Sequence, residues 1–528
     1  MHDPLASLLR PGQPLDRRTF AAYGAVLGAI PLLGRGDPVR RVRSFESDPF
    51  TMGVASGDPD ATSVVLWTRL APRPFEPGGG MRDDSVAVAW EVAEDEAMTK
   101  VVRRGDARAS AKLGHSVHVE VAGLLPDRWY WFRFTAGDAQ SPVGCTRTLP
   151  APDADAAAML FAVTSCQNWE QGLFTAYEQM AKDEPDFVFH LGDYIYEYAA
   201  GRNGKVRTHH GAEIQSVDDY RMRYAQYRSD PLLQRMHARC PWFVTWDDHE
   251  VDNNYADDVS EQKDVDPRDF LLRRANAYQV YYEVMPLRVR SLPRGPKLQL
   301  YRQASFGRLA ELLVLDTRQY RTDQPNGDRR SPLNSATLDK RNTLLGGAQR
   351  VWLKQALAES RATWNVLAQQ VMMGMVGSMR KEEKVPHYSM DQWPGYAHER
   401  VELVRFLAER RIANPVVLTG DIHSNWCNEL RVDDLQPDTP VIATEFVATS
   451  LSSGGNGSDK PRDHDTLLAA NPGVKFHNRQ RGYIRCAVTP KTWTSDYVVM
   501  DKVEQPGGVA SVRAKCTVEA GSPQVHVS

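Results

Sequence analysis

Four short runs carry the residues able to do chemistry. Asp193 and Tyr196 lie in GDYIY (192–196), and Asp421 and His423 in GDIH (420–423). Asp247, Asp248 and His249 lie in WDDHE (246–250), and Cys166 in SCQ (165–167). Carboxylate and imidazole ligands suit hard or borderline cations. A carboxylate can bridge two ions, and paired ions clamp the attacking and leaving oxygens of a phosphoryl displacement. A phenolate from Tyr196 would favour trivalent iron, and a thiolate from Cys166 would favour iron or zinc over magnesium. Residue type alone leaves alternatives open. Cys166 reads equally well as a small buried hydrophobe, and Tyr196, taken singly, reads better as a packed aromatic. Arg274 stands four residues after Phe270 and four before Tyr278 on one helical face. A cation there needs a partner, either an oxyanion such as phosphate or, with equal weight, an internal carboxylate.

These runs need elements to position them, and each follows an apolar segment: 158–166, 186–193, 241–248 and 415–421. The pattern from 158 to 193 is strand, amphipathic helix, strand, which predicts a parallel pair. In open α/β sheets ligands bind beyond the carboxyl ends of the strands. A single Asp at a strand end is usually a turn or cap residue; four such runs together predict one site. Further apolar runs at 308–316, 364–372 and 440–448 alternate with helical patterns near 347–359 and 398–411. Ser216 and Asp219 form a capping box for a helix whose Tyr220, Tyr224 and Tyr227 share a face. Asp266-Pro267 starts a helix that runs to about residue 285. The expectation is an α/β fold with helices layered on a central sheet, ending in strands at 485–499 and 509–516. Residues 46–150 differ. Alternating runs at 63–70, 85–92, 116–124 and 129–137, separated by Gly, Pro and Asp clusters, predict a small β-sandwich. Residues 150–157 read as the linker after it.

The chain has 528 residues, 42% hydrophobic and 25% charged, enough for a large core and more than one domain. Lys plus Arg (64) nearly balances Asp plus Glu (67), so there is no nucleic-acid-binding signature. No stretch reaches the roughly 20 apolar residues of a transmembrane span. The six cysteines are scattered with no CxxC pair, which argues against structural zinc. Arg17-Arg18-Thr19-Phe20 precedes a short apolar run at 21–34, the layout of a twin-arginine export signal. Residues 1–45 are read as signal and linker, and the protein as periplasmic or secreted after passage through that export machinery.

The longer motifs resemble one family. FTMGVASGDPDATSVVLWTRL (50–70), SCQ, LGDYIYEY (191–198) and WDDHEVDNNYADD (246–258) are followed by RRANAYQVYYEVMPLR (273–288), LDTRQYR (315–321) and LTGDIHSNW (418–426). Together they resemble the alkaline phosphatase D (PhoD-type) family, related to purple acid phosphatases and calcineurin-like metallophosphoesterases. The resemblance implies a four-layer α/β/β/α metallophosphoesterase domain over 155–528, preceded by an all-β, fibronectin III-like sandwich over 46–150. It implies hydrolysis of phosphate mono- or diesters, small molecules as well as phospholipid or polymeric diesters, by in-line attack of a metal-activated hydroxide. Ferric iron would be held by Cys166, Asp193, Tyr196 and His423, and calcium by Asp193, Asp248 and Asp421, in a two- or three-metal site with zinc less favoured. His249 would face the phosphate, with Asn253 beside it and Arg274 on the phosphoryl oxygens. Asp421 stands where the calcineurin-like pattern has the first His of GHxH, and the added carboxylate suits calcium. Two competing readings are a phospholipase D-like phosphodiesterase on the same scaffold and a non-catalytic exported metal-binding protein.

Overall fold

The computed structural model describes residues 39–379, 385–462 and 464–528. Strand Met159–Thr164 pairs in parallel with Phe187–His190, with Phe161 opposite Phe187, as the strand–helix–strand pattern predicts. Phe187–His190 pairs in parallel in turn with Trp242–Val244. These three strands are neighbours in a ten-stranded mixed sheet. The fourth site-bearing strand, Pro415–Thr419, belongs to a different, seven-stranded sheet, parallel to Trp364–Ala368 on one side and Ala443–Val447 on the other.

The single central sheet read from strand patterns is therefore corrected to two. Strands buried on both faces read as continuous apolar runs in either sheet, so nothing in their sequence assigns them. The two sheets meet in one apolar cluster, with Phe161, Phe187 and Phe189 from the first against Leu312, Val366, Val416 and Phe446 from the second. Each buried side chain of this size contributes roughly 1.5–3 kcal/mol over leaving it exposed. On its other side the ten-stranded sheet shares a cluster with helices Ala176–Lys182, Val217–Arg228, Pro231–Arg239 and Pro267–Val284. The seven-stranded sheet shares one with Gly346–Glu359 and Ala397–Glu409.

The helix starts follow their sequence signals. Ser216 and Asp219 cap Val217–Arg228 reciprocally, and the Asp266 side chain accepts the Arg268 N–H ahead of Pro267. Asp230-Pro231 carries the same signal and starts Pro231–Arg239, a helix the sequence patterns did not single out.

The N-terminal strands divide between two sheets. Ser85–Ala93 and Trp129–Ala136 lie in a six-stranded sheet, together with Val101–Ser110, whose charged Arg103-Arg104 stretch hides its strand pattern. Val54–Gly57, Ser63–Arg69 and Ser116–Ala122 instead form one end of the ten-stranded sheet. The junction is the Trp242–Gly57 pair. A Cβ on Gly57 would lie 2.7 Å from the Pro286 ring, so this close approach requires glycine. The two sheets enclose Val64, Leu66, Val86, Val88, Phe132 and Phe134. The expected final strands appear as two hairpins, Gly482–Val488 with Thr492–Met500 and Ala510–Glu519 with Ser522–Val527. Among the described residues no helix is long and apolar enough to cross a membrane. The Arg17-Arg18 pair lies outside the described residues.

Candidate metal centre

The four runs converge. Three groups of side chains each bring potential ligand atoms within 4.8 Å of one another: Cys166, Asp193 and His423; Asp193, Asp248 and His249; Asp247, Asp248 and Asp421. Asp193 joins the first group to the second, and Asp248 joins the second to the third. Tyr196 completes the first group, its Oη donating to Asp193 Oδ2 at 2.9 Å and lying 3.1 Å from His423 Nε2.

The backbone is contorted where these residues stand. Cys166, Asp193, Asp421 and His423 all have positive φ, at 57°, 55°, 65° and 50°. For residues with a Cβ this region is sparsely populated, and such strain gathers at functional sites. Gly192 (φ 111°) precedes Asp193, and a Cβ there would lie 2.4 Å from Asp247 Cβ. The strand ends can thus approach one another only with glycine at that position.

A second ring of buried groups holds the first. Glu250 accepts the backbone N–H groups of Asp193, Tyr194 and Asp247 at 3.1, 2.6 and 2.8 Å. Glu197 accepts from the Asn253 backbone N–H at 3.0 Å and pairs with His249 Nδ1 at 2.7 Å. Arg318, with no exposed surface, contacts Asp247 through Nε and grips Asp391 with both Nη atoms at 2.7 and 2.9 Å. Its Nη2 also lies 3.5 Å from Asp248 and 3.7 Å from Asp421. Sequence reasoning assigned no role to Glu250, Glu197, Arg318 or Asp391. Arg318 had a signal, because LDTRQYR also follows an apolar strand, Ala310–Val314.

The electrostatics call for cations. Burial, followed by the crowding of like charges, raises Asp421 well above the usual carboxylate range. Burial raises Asp193 likewise, with Asp248 and Asp247 adding to it against the pull of His249. Burial and the neighbouring Asp193 also push up the Cys166 thiol and the Tyr196 phenol. Burial opposes the charged form of His249, but Glu197, Asp248 and Asp193 overcome it and hold the imidazole protonated well above its ordinary value. His423 is pushed down to about 3 by burial and by Arg481. Asp193 Oδ1 and Asp247 Oδ2 are buried without a hydrogen-bond partner, and Asp248 Oδ1 has no hydrogen bond but only the Arg318 guanidinium 3.5 Å away. Unpartnered buried carboxylate oxygens are costly, and a cation among them supplies the missing partner. The donors fit metal ions.

Two expected residues have other side-chain partners. The Asn253 side chain accepts from Tyr198 Oη at 3.2 Å. Arg274 Nη1 donates to Asp257 Oδ1 at 2.8 Å and also to the Asp257 carbonyl. Asp257 is in turn tied to the ring around the cluster, its N–H donating to the Arg318 carbonyl at 3.1 Å.

Comparison with known proteins shows the family. The family model for PhoD-like phosphatase matches residues 161–497, and that for the PhoD-like phosphatase N-terminal domain matches 37–150. Alkaline phosphatase D of Bacillus subtilis (strain 168) is 51% identical over 480 residues, covering 90% of this chain and 82% of that protein. A solved structure described as that of PhoD superposes with a TM-score of 0.90 at 50% identity, covering 92% of this chain and 93% of the other. The chain belongs to the PhoD-like phosphatase family and is a hydrolase acting on phosphoric ester bonds.

Proposed function

We propose that this phosphoesterase is metal-dependent, with ferric iron held by Cys166, Asp193, Tyr196 and His423 and calcium held by Asp193, Asp248 and Asp421. The observation that carries the reading is the linkage of three ligand groups through Asp193 and Asp248, each of which keeps one buried oxygen without a hydrogen bond. A thiolate and a phenolate beside a carboxylate and an imidazole favour iron, and the carboxylate-only group favours calcium. When bound, such ions bring the pKa of water towards roughly 7 and clamp the oxygens of the phosphoryl group. His249, protonated and tied at Nδ1 to Glu197, has Nε2 left to donate a proton to the leaving oxygen. Asn253 orients the substrate beside it. Arg274 meets the phosphoryl oxygens when Asp257, which is half exposed, yields it. Elemental analysis of protein purified without added metal tests the assignment: iron with calcium is expected, and zinc alone would overturn it.

The same reading extends to architecture and location. The apolar clusters on either side of the paired sheets support a four-layer α/β/β/α catalytic unit over 155–528. The enclosed core between the six-stranded sheet and the end of the ten-stranded sheet supports a fibronectin III-like sandwich over 46–150. The Arg17-Arg18 pair ahead of a short apolar run supports twin-arginine export of residues 46 onward to the periplasm or beyond. Substrates are phosphate monoesters, diesters or both. Parallel assays of one of each at one pH separate a phosphatase from a phospholipase D-like preference.

A further inference from the structure

Ser453 lies outside every run that the sequence singled out, yet it is fully buried against two of the proposed ligands. Its Oγ is 2.7 Å from Tyr196 Oη and 2.7 Å from the Cys166 carbonyl oxygen. The Asn168 backbone N–H donates to the same Oγ at 3.0 Å, which pins the oxygen and leaves only the proton to choose a direction. A hydroxyl has one proton to give. While Tyr196 is a phenol donating to Asp193, either acceptor serves. Once Tyr196 is a phenolate, the charged oxygen takes the proton, because hydrogen bonds to ionised acceptors are roughly twice as strong.

The segment is held so that this geometry has little slack. Ser450 pairs with Ser165, and the Leu451 N–H donates to the Ser165 carbonyl at 2.9 Å. The Ser453 N–H donates to the Cys166 carbonyl at 3.2 Å. Ser452 Oγ donates to the Asn168 carbonyl at 2.9 Å. Arg481 Nη1 donates to Ser450 Oγ at 2.8 Å, and that hydroxyl donates to the Ser453 carbonyl at 2.7 Å.

We propose that Ser453 is a positioning residue that donates a hydrogen bond to the Tyr196 phenolate oxygen and so limits the charge this ligand gives to the metal. The inference rests on the iron reading above. A phenolate bound to ferric iron absorbs visible light by charge transfer, and a hydrogen bond to its oxygen lowers the donor orbital and moves the band to shorter wavelength.

The test uses the full chain with its native metal. The unaltered protein, Ser453→Ala and Ser453→Thr are compared for iron content and visible spectrum. The tyrosinate C–O stretch of the unaltered protein is followed by resonance Raman in H2O and D2O. Ser453→Ala is expected to keep its iron and move the band to longer wavelength. Ser453→Thr, which keeps the hydroxyl, is expected to hold the original band, and deuteration is expected to shift the stretch. An unmoved band in iron-loaded Ser453→Ala, or a stretch insensitive to deuteration, overturns the proposal. If Ser453→Ala does not fold, the deuterium comparison decides alone. Absence of iron from the unaltered protein overturns the metal reading instead, and is seen before any variant is made.

Discussion

Glu250 accepts the backbone N–H of Asp193 at 3.1 Å, so a buried carboxylate beyond one strand fixes the candidate bridging ligand beyond its neighbour. The same carboxylate takes the Tyr194 and Asp247 N–H groups, and thus sets the spacing between two of the four converging runs. Glu250→Ala would strand three buried donors, each costing about 1–3 kcal/mol. Glu250→Gln keeps the shape but turns an NH2 towards donors. The expected order of thermal stability and of bound metal is unaltered, then Gln, then Ala. Full metal content in Glu250→Ala would sink this role.

Asp193 and Asp391 should separate a ligand from its support. Asp193→Asn removes the charge shared by two ligand groups, so bound metal and turnover should fall together. The loss should exceed the roughly 10–100-fold typical of residues one step removed from a metal. Asp391 touches none of the three groups directly but takes both Nη atoms of Arg318 and, at 2.6 Å, Arg321 Nη1. Asp391→Asn weakens the buried ion pairs to Arg318 and Arg321, and because Arg318 keeps Asp247 the cost should fall below the about 3–5 kcal/mol of a buried charge left uncompensated. Its main effect should be a lowered melting temperature, with a smaller loss of metal. Equal metal loss in the two variants would contradict the division.

The Arg274–Asp257 pair yields a test of the phosphate contact. If Arg274 serves phosphate, Arg274→Ala should weaken competitive inhibition by inorganic phosphate about tenfold or more, the order expected of a charge-assisted bidentate contact. Asp257→Ala, which frees the guanidinium, should leave inhibition unchanged or strengthen it. Matching losses of stability in both variants with inhibition unaltered would leave Arg274 as an internal ion pair only.

The sequence made the convergence legible because the ligand-bearing residues follow apolar runs, two of them, Asp193 and Asp421, directly after a glycine. Gly192 and Asp193 could be read as a strand end, as could Gly420 and Asp421. What the sequence hid were the distances between runs. Ser453, Glu250 and Asp391 act through hydrogen bonds to residues far away in the chain, and such contacts leave no periodicity. The assignment of Pro415–Thr419 to a second sheet was hidden too, since the site-bearing strands are buried on both faces along nearly all their length. Arg274 could be placed on a buried helical face, but its partner, Asp257, sits in a loop whose course no pattern predicts.

Stability should fall in acid partly through His190. This imidazole is fully buried, stacks against Trp242, and makes no hydrogen bond from either nitrogen. Burial pushes it down to about 3, against about 6.5 in the unfolded chain. Between those values the unfolded chain holds a proton that the folded one refuses. Stability therefore falls as pH drops from about 6.5 to 3, by roughly 1.4 kcal/mol per pH unit for this group. His190→Phe should flatten the dependence of the melting temperature on pH below 6.5. An unchanged slope would show that His190 is not a source of the acid sensitivity.

Loading the site should release protons, because ligation requires deprotonated thiol, phenol and carboxylate groups. Burial and neighbouring carboxylates hold the Cys166 thiol and the Tyr196 phenol protonated at pH 8, and Asp193 and Asp421 are raised by the same causes. Adding iron to metal-free protein at that pH in weak buffer should therefore release at least two protons per chain, and apparent affinity should rise with pH. Cys166→Ser and Tyr196→Phe should each remove about one proton from the count, since each deletes one acidic group from the ligand set. Proton counting with an indicator dye, set beside the metal bound, gives the ratio directly. Uptake of iron with no release of protons would mean that neither group ligates, and the ion would then have to be held by carboxylates and His423 alone.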